Sequence, residues 1–314
     1  MCSCKTMEPV NSRKFAVKTD WRNFSRCFCA VAWTLLFSSC QLRTEPEIDN
    51  SVMKKIDRHR PASLEFWKTI TIQGRSALDF SSFVTAMLIP TDVTISFRLV
   101  PTTEGGTTVK TRFQLKPGKS YGFGSAVPIS SDGYFVTAAH CVGKQGSTIQ
   151  VLTKPASPPL SLSLAHVVWR SDETNPDEPD LAILHAPIKS DLFVTLASQA
   201  TLKIGTPVLT SGYGSFKKSH SGGHLQSITN PKLAPTGVTW RELTHTALTT
   251  PGDSGGPILS KERQLLGISS QIILTNPGWL PFDLGSLGYD HGVCFVPDAQ
   301  WLNSIIQRHR SKRQ

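Results

Sequence analysis

Residues 250–259, TPGDSGGPIL, place a serine within a glycine-rich turn. A serine hydroxyl is a weak nucleophile unless a base takes its proton, a third group orients that base, and donors bind the oxyanion that forms. If Ser254 is a nucleophile rather than part of a simple turn, the rest of the chain must supply a histidine and an acid in contexts that can position them.

Two other segments supply these partners. In GYFVTAAHCV, His140 follows the apolar residues 134–138, which predict a short buried strand. In DEPDLAILHA, Asp180 stands at the mouth of the apolar run 181–184, where a buried acid is costly unless it is paired. The neighbouring acids lack that context and predict a solvated loop: Asp172, Glu173, Asp177 and Glu178.

The order His140, Asp180, Ser254 is that of the chymotrypsin type of triad, and it differs from the orders of subtilisin and the α/β-hydrolases. With TAAHC, DLAIL and GDSGGP in this order, the chain over about residues 92–310 resembles the trypsin-like serine proteases. The segments YGFGSAVPISSDGYFVTAAH and LKIGTPVLTSGYG are similar to the bacterial branch of that family that includes the HtrA proteins. The few residues after 310 lead us to expect no PDZ domain.

The resemblance implies an all-β fold, a chymotrypsin-like pair of six-stranded β-barrels followed by a C-terminal helix. It places the first barrel at about 92–190, the second at about 195–297 and the helix at 298–310. The sequence DAQWLNSIIQRHR fits that helix, because Asp298 can cap its start and four apolar residues share one face: Trp301, Leu302, Ile305 and Ile306.

The resemblance also implies a role for each site residue. Ser254 would attack the peptide carbonyl, His140 would act as general base and acid, and Asp180 would orient the imidazole. The N–H groups of Gly252 and Ser254 would bind the oxyanion, and a Cβ at 252 would obstruct that turn. The two glycines after the nucleophile, 255 and 256, are expected to let the backbone pass close to the other barrel.

Three features depart from the family. Cys141 has no upstream cysteine to pair with, and both it and Cys294 are read as small buried hydrophobes rather than as a disulfide. No Ile-Val-Gly-Gly start exists, so we expect no activating cut beside Leu99. Asp253 stands where HtrA relatives often have Asn. In zymogen-type members this acid binds the new N-terminus, and here the sequence does not say what it binds.

The resemblance places a specificity pocket around five residues: Leu248, Thr249, Ser270, Ile272 and Gly292. Trypsin has an acid at the position of Leu248, and glutamyl endopeptidases have a histidine at that of Ser269. A pocket without fixed charge predicts cleavage after small or medium apolar residues such as Ala, Val or Leu.

The N-terminal segment is interpreted as a leader over residues 1–40. The apolar run in RCFCAVAWTLLFSSC follows basic residues, which is typical of a secretory signal, and its end resembles the lipobox of bacterial lipoproteins. This predicts export to the envelope or periplasm of a bacterium, or secretion, with lipid on Cys40. An ordinary signal peptide and an uncleaved anchor are the alternatives. Residues 41–91 predict a tether and an N-terminal extension with one or two short helices.

The composition excludes other classes. The net charge of +10 arises largely at the two ends of the chain, and no basic and aromatic motif indicates nucleic-acid binding. The seven cysteines form neither a disulfide framework nor a zinc ribbon, and no metal or cofactor is predicted. The sequence therefore predicts an exported serine endopeptidase acting on proteins or peptides. The alternative is a catalytically silent binding or scaffold protein of the cell envelope on the same fold, and a non-peptidase esterase fits less well.

Overall fold

A computed structural model describes residues 64–72, 75–101, 107–154, 160–172, 174–214, 218–275 and 288–313. The predicted leader, Cys40 and most of the predicted tether lie outside these ranges. Within them, no helix is long and apolar enough to cross a membrane.

Short elements precede the barrels. A capping serine starts the second of two short helices: Ser76 Oγ accepts a hydrogen bond from the N–H of Asp79 at 3.1 Å, which satisfies one free donor of the first turn. The elements are α1 (Leu64–Thr69), β1 (Thr71–Ile72), β2 (Arg75–Ser76) and α2 (Ala77–Phe83), and β1 pairs with β2.

Six antiparallel strands close the first barrel in the order β10-β7-β6-β3-β8-β9. Strands β7 and β10 are buried along their whole length, as the apolar runs before His140 and after Asp180 predict. A two-stranded ribbon, β4 (Thr94–Pro101) with β5 (Thr107–Gln114), is inserted after the first of these strands. The barrel strands are β3 (Ala86–Ile89), β6 (Gly124–Pro128), β7 (Tyr134–Thr137), β8 (Thr148–Thr153), β9 (Ser161–Arg170) and β10 (Ala182–His185).

The first barrel starts earlier than the sequence indicates. Strand β3 pairs with β6 and β8 and is buried throughout, although it lies before residue 92, where the predicted extension ends. A run of only four buried apolar residues has no alternation and does not distinguish a strand from a packed helix, and this explains the difference.

The second barrel is also a closed ring of six strands, in the order β12-β11-β15-β16-β17-β14, with a pairing between β12 and β14 that closes it. The predicted pair of barrels is thus confirmed. A short seventh strand, β13 (Lys232–Leu233), is added beside β14. The ring consists of β11 (Pro207–Gly212), β12 (Ser219–Ile228), β14 (Thr239–His245), β15 (Pro257–Leu259), β16 (Leu265–Thr275) and β17 (Gly288–Pro297).

A C-terminal helix, α3 (Ala299–Ser311), follows the last strand as predicted. The carboxylate of Asp298 accepts from the N–H groups of Gln300 at 2.9 Å and Trp301 at 3.0 Å, which confirms the predicted cap. The buried face of the helix packs on Tyr134 and Ile183 of the first barrel, and its residues are those predicted, with Trp301 partly buried: Leu302, Ile305 and Ile306.

An apolar cluster joins the two barrels. Val127, Val136 and Leu181 of the first barrel pack in one buried cluster with Ile268 and Phe295 of the second. Dense packing of this kind fixes the separation of the two barrels. Residues that follow or precede these strands can therefore meet across the junction at a defined distance.

Two details of the sequence interpretation are settled by burial and bonding. Glu178 is buried rather than solvated, because its two carboxylate oxygens accept from the N–H and hydroxyl of Thr236 at 2.9 and 2.6 Å. Cys141 and Cys294 are free thiols, so no disulfide joins them. Cys294 is fully buried in the core of the second barrel, while Cys141 is only half-buried.

Candidate active site

Strand pairing brings His140 and Asp180 together. Thr137, the last residue of β7, lies opposite Ala182, the first residue of β10. The residues just after the first strand therefore lie beside those just before the second. A single 3₁₀ turn, Ala139–Cys141, then carries the histidine to the carboxylate.

The Asp180 carboxylate holds both the backbone and the ring of the histidine. Its Oδ1 accepts from the backbone N–H of His140 at 3.0 Å, and its Oδ2 accepts from Nδ1 at 2.6 Å. This contact places a proton on Nδ1, so Nε2 carries the free lone pair whenever the ring is neutral. The imidazole side chain is 42% exposed and the carboxylate side chain 11%, so the pair runs from the protein interior towards solvent.

The pair shifts the pKa values of both groups. The hydrogen bond to Asp180, followed by the neighbouring Cys141, raises the pKa of His140 to about 10. Burial acts to raise the pKa of Asp180, but hydrogen bonds from His140 and Ser270 and the histidine charge outweigh it, so the pKa lies below its usual value.

Ser270 contributes its side chain to the acid. Its hydroxyl donates to Oδ2 of Asp180, and its place in the specificity pocket stays a prediction. The register of β16 against β17 shifts between Ser269 and Gln271, and such irregularities re-aim side chains along a strand. The backbone carbonyl of Ser270 still faces the site, because it accepts from Ser254 Oγ at 3.4 Å.

Ser254 lies at the junction of the barrels. Its backbone carbonyl accepts from the N–H of Ser125 at 2.8 Å and from the thiol of Cys141 at 3.4 Å, both in the first barrel. Among the described residues, its hydroxyl makes no hydrogen bond to His140 and donates instead to the Ser270 carbonyl. The structure thus brings all three predicted residues to one junction, with the serine hydroxyl hydrogen-bonded to the Ser270 carbonyl.

The turn around Ser254 requires its glycines. Gly252 has a φ of 99°, and a Cβ there would lie 2.7 Å from the carbonyl oxygen of Tyr213. Gly255, with a φ of 83°, passes so close to the first barrel that a Cβ would lie 2.0 Å from the carbonyl oxygen of Ser125, as predicted. For Gly256 the same prediction is wrong, since its neighbour is the Ser211 carbonyl of its own barrel.

Asp253 has partners that the sequence did not reveal. It is 6% exposed, and its Oδ1 accepts from the N–H of Gly214 at 3.0 Å and from Ser219 Oγ at 2.6 Å. Its Oδ2 accepts from the N–H and the hydroxyl of Thr250, each at 2.8 Å. The acid beside the serine is therefore held by neutral donors of the second barrel.

The predicted pocket residues partly converge. Leu248 is half-buried, while Thr249 is buried and its hydroxyl has no hydrogen-bond partner among the described residues. A Cβ on Gly292 would lie 2.9 Å from that hydroxyl and 2.2 Å from the ring of His245. Ile272 lies opposite Gly292 in the sheet, but its side chain is outside the described part of the structure.

His245 adjoins the predicted pocket, although no pattern in the sequence indicates it. His245 is a residue of β14, is fully buried and lies opposite Gly292 of β17. Its ring occupies the position that a Cβ on that glycine would need. No motif surrounds it, and only the pairing of β14 with β17 shows that it adjoins the predicted pocket. Elsewhere in the described ranges, no group of His, Cys, Asp and Glu side chains is arranged to hold a metal ion.

The comparisons with known proteins agree with this arrangement. Residues 124–268 match the family model of the trypsin-like peptidase domain. No curated protein matches the sequence. Among solved structures, the active form of the Rv3671c protease from M. tuberculosis is similar, with a TM-score of 0.50, 18% identity, and coverage of 79% of this chain and 87% of that one.

A second solved structure, the HtrA-type protease AlgW with a decapeptide, has a TM-score of 0.49, 20% identity, and coverage of 73% of this chain and 66% of that one. At 18% identity the likeness to the Rv3671c protease concerns the fold alone. The family match over residues 124–268, together with this fold, supports a peptidase of the trypsin-like serine type.

Proposed function

We propose that this serine peptidase is an exported endopeptidase that cleaves peptide bonds through an acyl-enzyme on Ser254. The observation that carries the proposal is the His140–Asp180 pair, in which one carboxylate fixes both the backbone and Nδ1 of a partly exposed histidine whose neighbour Cys141 contacts the Ser254 carbonyl. Such fixation gives the imidazole the tautomer that a general base needs.

Acylation would use each group in turn. The Ser254 hydroxyl leaves the Ser270 carbonyl, gives its proton to Nε2 of His140, and its Oγ forms a bond to the peptide carbonyl carbon. Negative charge on the carbonyl oxygen is bound by the N–H groups of Gly252 and Ser254. The imidazolium, stabilised by Asp180, then gives the proton to the leaving amine, and the C–N bond breaks.

Deacylation would repeat these steps with water as the nucleophile. His140 takes a proton from water, the hydroxide oxygen adds to the acyl carbon, and the C–Oγ bond breaks as the proton returns to Ser254. Hydrogen bonds of catalytic groups are often long in the free enzyme and tighten with substrate, so the resting position of the serine hydroxyl fits this sequence of events.

Covalent labelling with a fluorophosphonate, combined with hydrolysis of a peptide substrate, tests the proposal. We expect labelling on Ser254 alone, and loss of hydrolysis by about 10⁶-fold in Ser254→Ala and in His140→Ala. Thermal unfolding checks that both variants remain folded. A folded wild-type protein that neither reacts with the probe nor cleaves peptides would favour the silent scaffold instead.

We propose further that cleavage follows small apolar residues. Leu248 supplies no charge, and a Cβ on Gly292 would lie 2.2 Å from the ring of His245, so we expect the pocket to be shallow. Each methylene group of the substrate side chain contributes about 0.8 kcal/mol to binding, but only if the pocket has room to bury it. Ala and Val should therefore be preferred to Leu.

A peptide library measures this preference directly. The expected profile has Ala and Val before the cleaved bond, and His245→Ala should extend it towards Leu and Met because the pocket deepens. A wild-type profile dominated by Lys, Arg or Glu would contradict the proposed pocket without affecting the proposed hydrolysis.

Export and lipid attachment are proposed from the leader alone. The apolar run that ends in small residues before Cys40 supports transport across a membrane and acylation of that thiol. Expression in a bacterium with labelled palmitate tests this, and Cys40→Ser should abolish labelling. Equal labelling of the variant would exclude a lipid on Cys40 and leave a secreted or periplasmic form.

A further inference from the structure

We infer that the segment ahead of the first barrel, residues 77–85, positions the oxyanion turn through its hydrogen bonds to strands β11 and β12, whose ends hold Asp253. In this arrangement Ser219 and Thr250 are positioning residues that hold the acid between the two oxyanion donors, Gly252 and Ser254. The inference rests on the proposed peptidase function, and it assigns a role to a segment for which the sequence indicates no chemistry.

The first step is the saturation of the Asp253 carboxylate. An ionised carboxylate offers about four lone-pair sites for hydrogen bonds. Four donors from three residues fill them: the N–H of Gly214, the hydroxyl of Ser219, and the N–H and hydroxyl of Thr250. No acceptor site is left for an ammonium group, so the turn is fixed without a newly cut N-terminus.

Ser219 is connected to helix α2 through the residue that follows it. The next residue on β12, His220, lies between two helix serines, with Nδ1 at 3.1 Å from Ser81 Oγ and Nε2 at 3.1 Å from Ser82 Oγ. The Ser81 hydroxyl already donates to the carbonyl of Leu78, so it accepts from Nδ1–H. The neutral ring then accepts at Nε2 from Ser82.

Burial, followed by the nearby Lys218, lowers the pKa of His220 to about 4, which keeps this ring neutral and the two hydrogen bonds in place. Lys218 adds a second attachment, because its ammonium group donates to the carbonyl of Ser82 and, at 3.3 Å, to that of Thr85. The residues before and after Ser219 are thus both hydrogen-bonded to residues 81–85.

The neighbouring strand β11 is also hydrogen-bonded to the segment ahead of the first barrel. The hydroxyl of Thr85 is hydrogen-bonded to that of Ser211, and the Ser211 hydroxyl also contacts the carbonyl of Ser81 at 3.3 Å. The Ser211 carbonyl in turn lies against Gly256, directly after the nucleophile turn. The same segment therefore contacts both of the paired strands whose ends are hydrogen-bonded to Asp253.

These contacts predict the effect of removing a link. Without the Ser219 hydroxyl, Oδ1 of Asp253 keeps one donor in a site that water barely reaches. A buried charge with a missing hydrogen bond shifts towards new partners. A shift of Asp253 would move the N–H groups of Gly252 and Ser254 on either side of it. These groups bind the transition state and not the ground state, so kcat should fall while KM is retained.

The test compares Ser219→Ala with a matched control on the same strand. Ser227→Ala removes an exposed β12 hydroxyl that is hydrogen-bonded to Thr244 at 2.7 Å, away from Asp253. Ser219→Ala loses a hydrogen bond to a charged group. This loss should lower kcat by roughly 10- to 100-fold with little change in KM. Ser227→Ala should hydrolyse the peptide at the wild-type rate.

Two further measurements separate positioning from general loss of structure. A peptide boronic acid, which forms a tetrahedral adduct on Ser254, should bind Ser219→Ala more weakly by the same factor as kcat, whereas a product peptide should bind unchanged. Ser219→Thr keeps a hydroxyl and should restore kcat. Removing the helix link in Ser82→Ala should lower kcat in the same sense by a smaller factor.

The outcomes also distinguish this inference from the proposed function. A wild-type protein that does not react with a fluorophosphonate overturns the proposed function itself. If the wild type reacts and cleaves peptides, but Ser219→Ala matches Ser227→Ala in kcat and boronic acid affinity, the inferred positioning role is wrong. Equal losses in product binding and boronic acid binding would likewise assign Ser219 to the fold rather than to the oxyanion turn.

Discussion

The two halves of the site are held in different ways. In the acid–base half, the paired ends of β7 and β10 place His140 beside Asp180, and one carboxylate completes the arrangement. In the proposed oxyanion half, the turn from Gly252 to Ser254 contacts the first barrel and the ends of β11 and β12, and the segment before the barrels is hydrogen-bonded to these two strands.

This difference shows what each kind of chemistry demands. A base needs one partner that fixes its tautomer, and neighbouring strand ends supply it locally. An oxyanion hole needs two backbone N–H groups in an uncommon conformation, which persists only where the surroundings determine it from several sides. We therefore expect the acid–base half to respond to changes in one residue and the oxyanion half to respond to changes far away in sequence.

The largest effect on the acid–base half should come from Asp180→Asn. An amide at this position favours the wrong imidazole tautomer, so turnover should fall by about 10⁴-fold, as it does when the triad aspartate of a trypsin-like protease is changed to asparagine. Steady-state hydrolysis of a peptide substrate measures it. Because the oxyanion half is held separately, affinity for a product peptide should change little; a large loss there would mean that the halves are coupled.

For the oxyanion half, Gly255→Ala should be strongly destabilising. Its φ is 83°, and the new Cβ would meet the Ser125 carbonyl oxygen at 2.0 Å, so strain and overlap together should cost more than about 3 kcal/mol. Gly237→Ala is the matched control, because its φ is 81° but no atom lies within 4 Å of the Cβ position. It should cost about 1 kcal/mol in urea unfolding. Equal costs would show that tertiary contact does not constrain this turn.

Ser125→Ala should have an intermediate effect and measures how far the first barrel supports the turn. Its hydroxyl donates to the Gly252 carbonyl at 2.9 Å and accepts from the N–H of Tyr213 at 3.0 Å. Removing it leaves these partly buried groups without their hydrogen bonds, which should cost about 1–3 kcal/mol of unfolding free energy. A matching fall in kcat would sharpen the comparison, and an unchanged kcat would show that β11 and β12 suffice.

The smallest effect should be a pH dependence of stability from the acid–base pair. The pKa of His140 rises from 6.5 to about 10 on folding, so its contribution is complete below pH 6.5 and is lost as the pH rises towards 10. The pKa of Asp180 falls below 3.8, so its contribution is present above that pH and is lost in acid.

The difference in unfolding free energy between the wild type and Asp180→Asn should therefore be greatest between about pH 4 and 6.5 and should shrink towards pH 10. Urea unfolding at pH 6 and at pH 10 measures it. The imidazole is 42% exposed, so solvent screening keeps this effect small. A difference that grows with pH would contradict the assigned directions.

Much of this protein is determined by the sequence itself. The motifs around His140, Asp180 and Ser254 predict the residues that meet at the junction, because each lies beside a short apolar strand whose pairing is set by the fold. The capped C-terminal helix and the free cysteines follow from equally local patterns. Glycine at 252 and 255 could be foreseen as well, since a turn with positive φ restricts the residue type.

Other features were decided by the tertiary structure alone. The partners of Asp253, the burial of Glu178, the turn of Ser270 towards Asp180 and the ring of His245 over Gly292 each join residues far apart in the chain. Their side chains are ordinary serines, threonines and histidines with no motif around them. Hydrogen bonding can be satisfied by any suitable donor within reach, so only the packed arrangement of strands and helix α2 selects which donor it is.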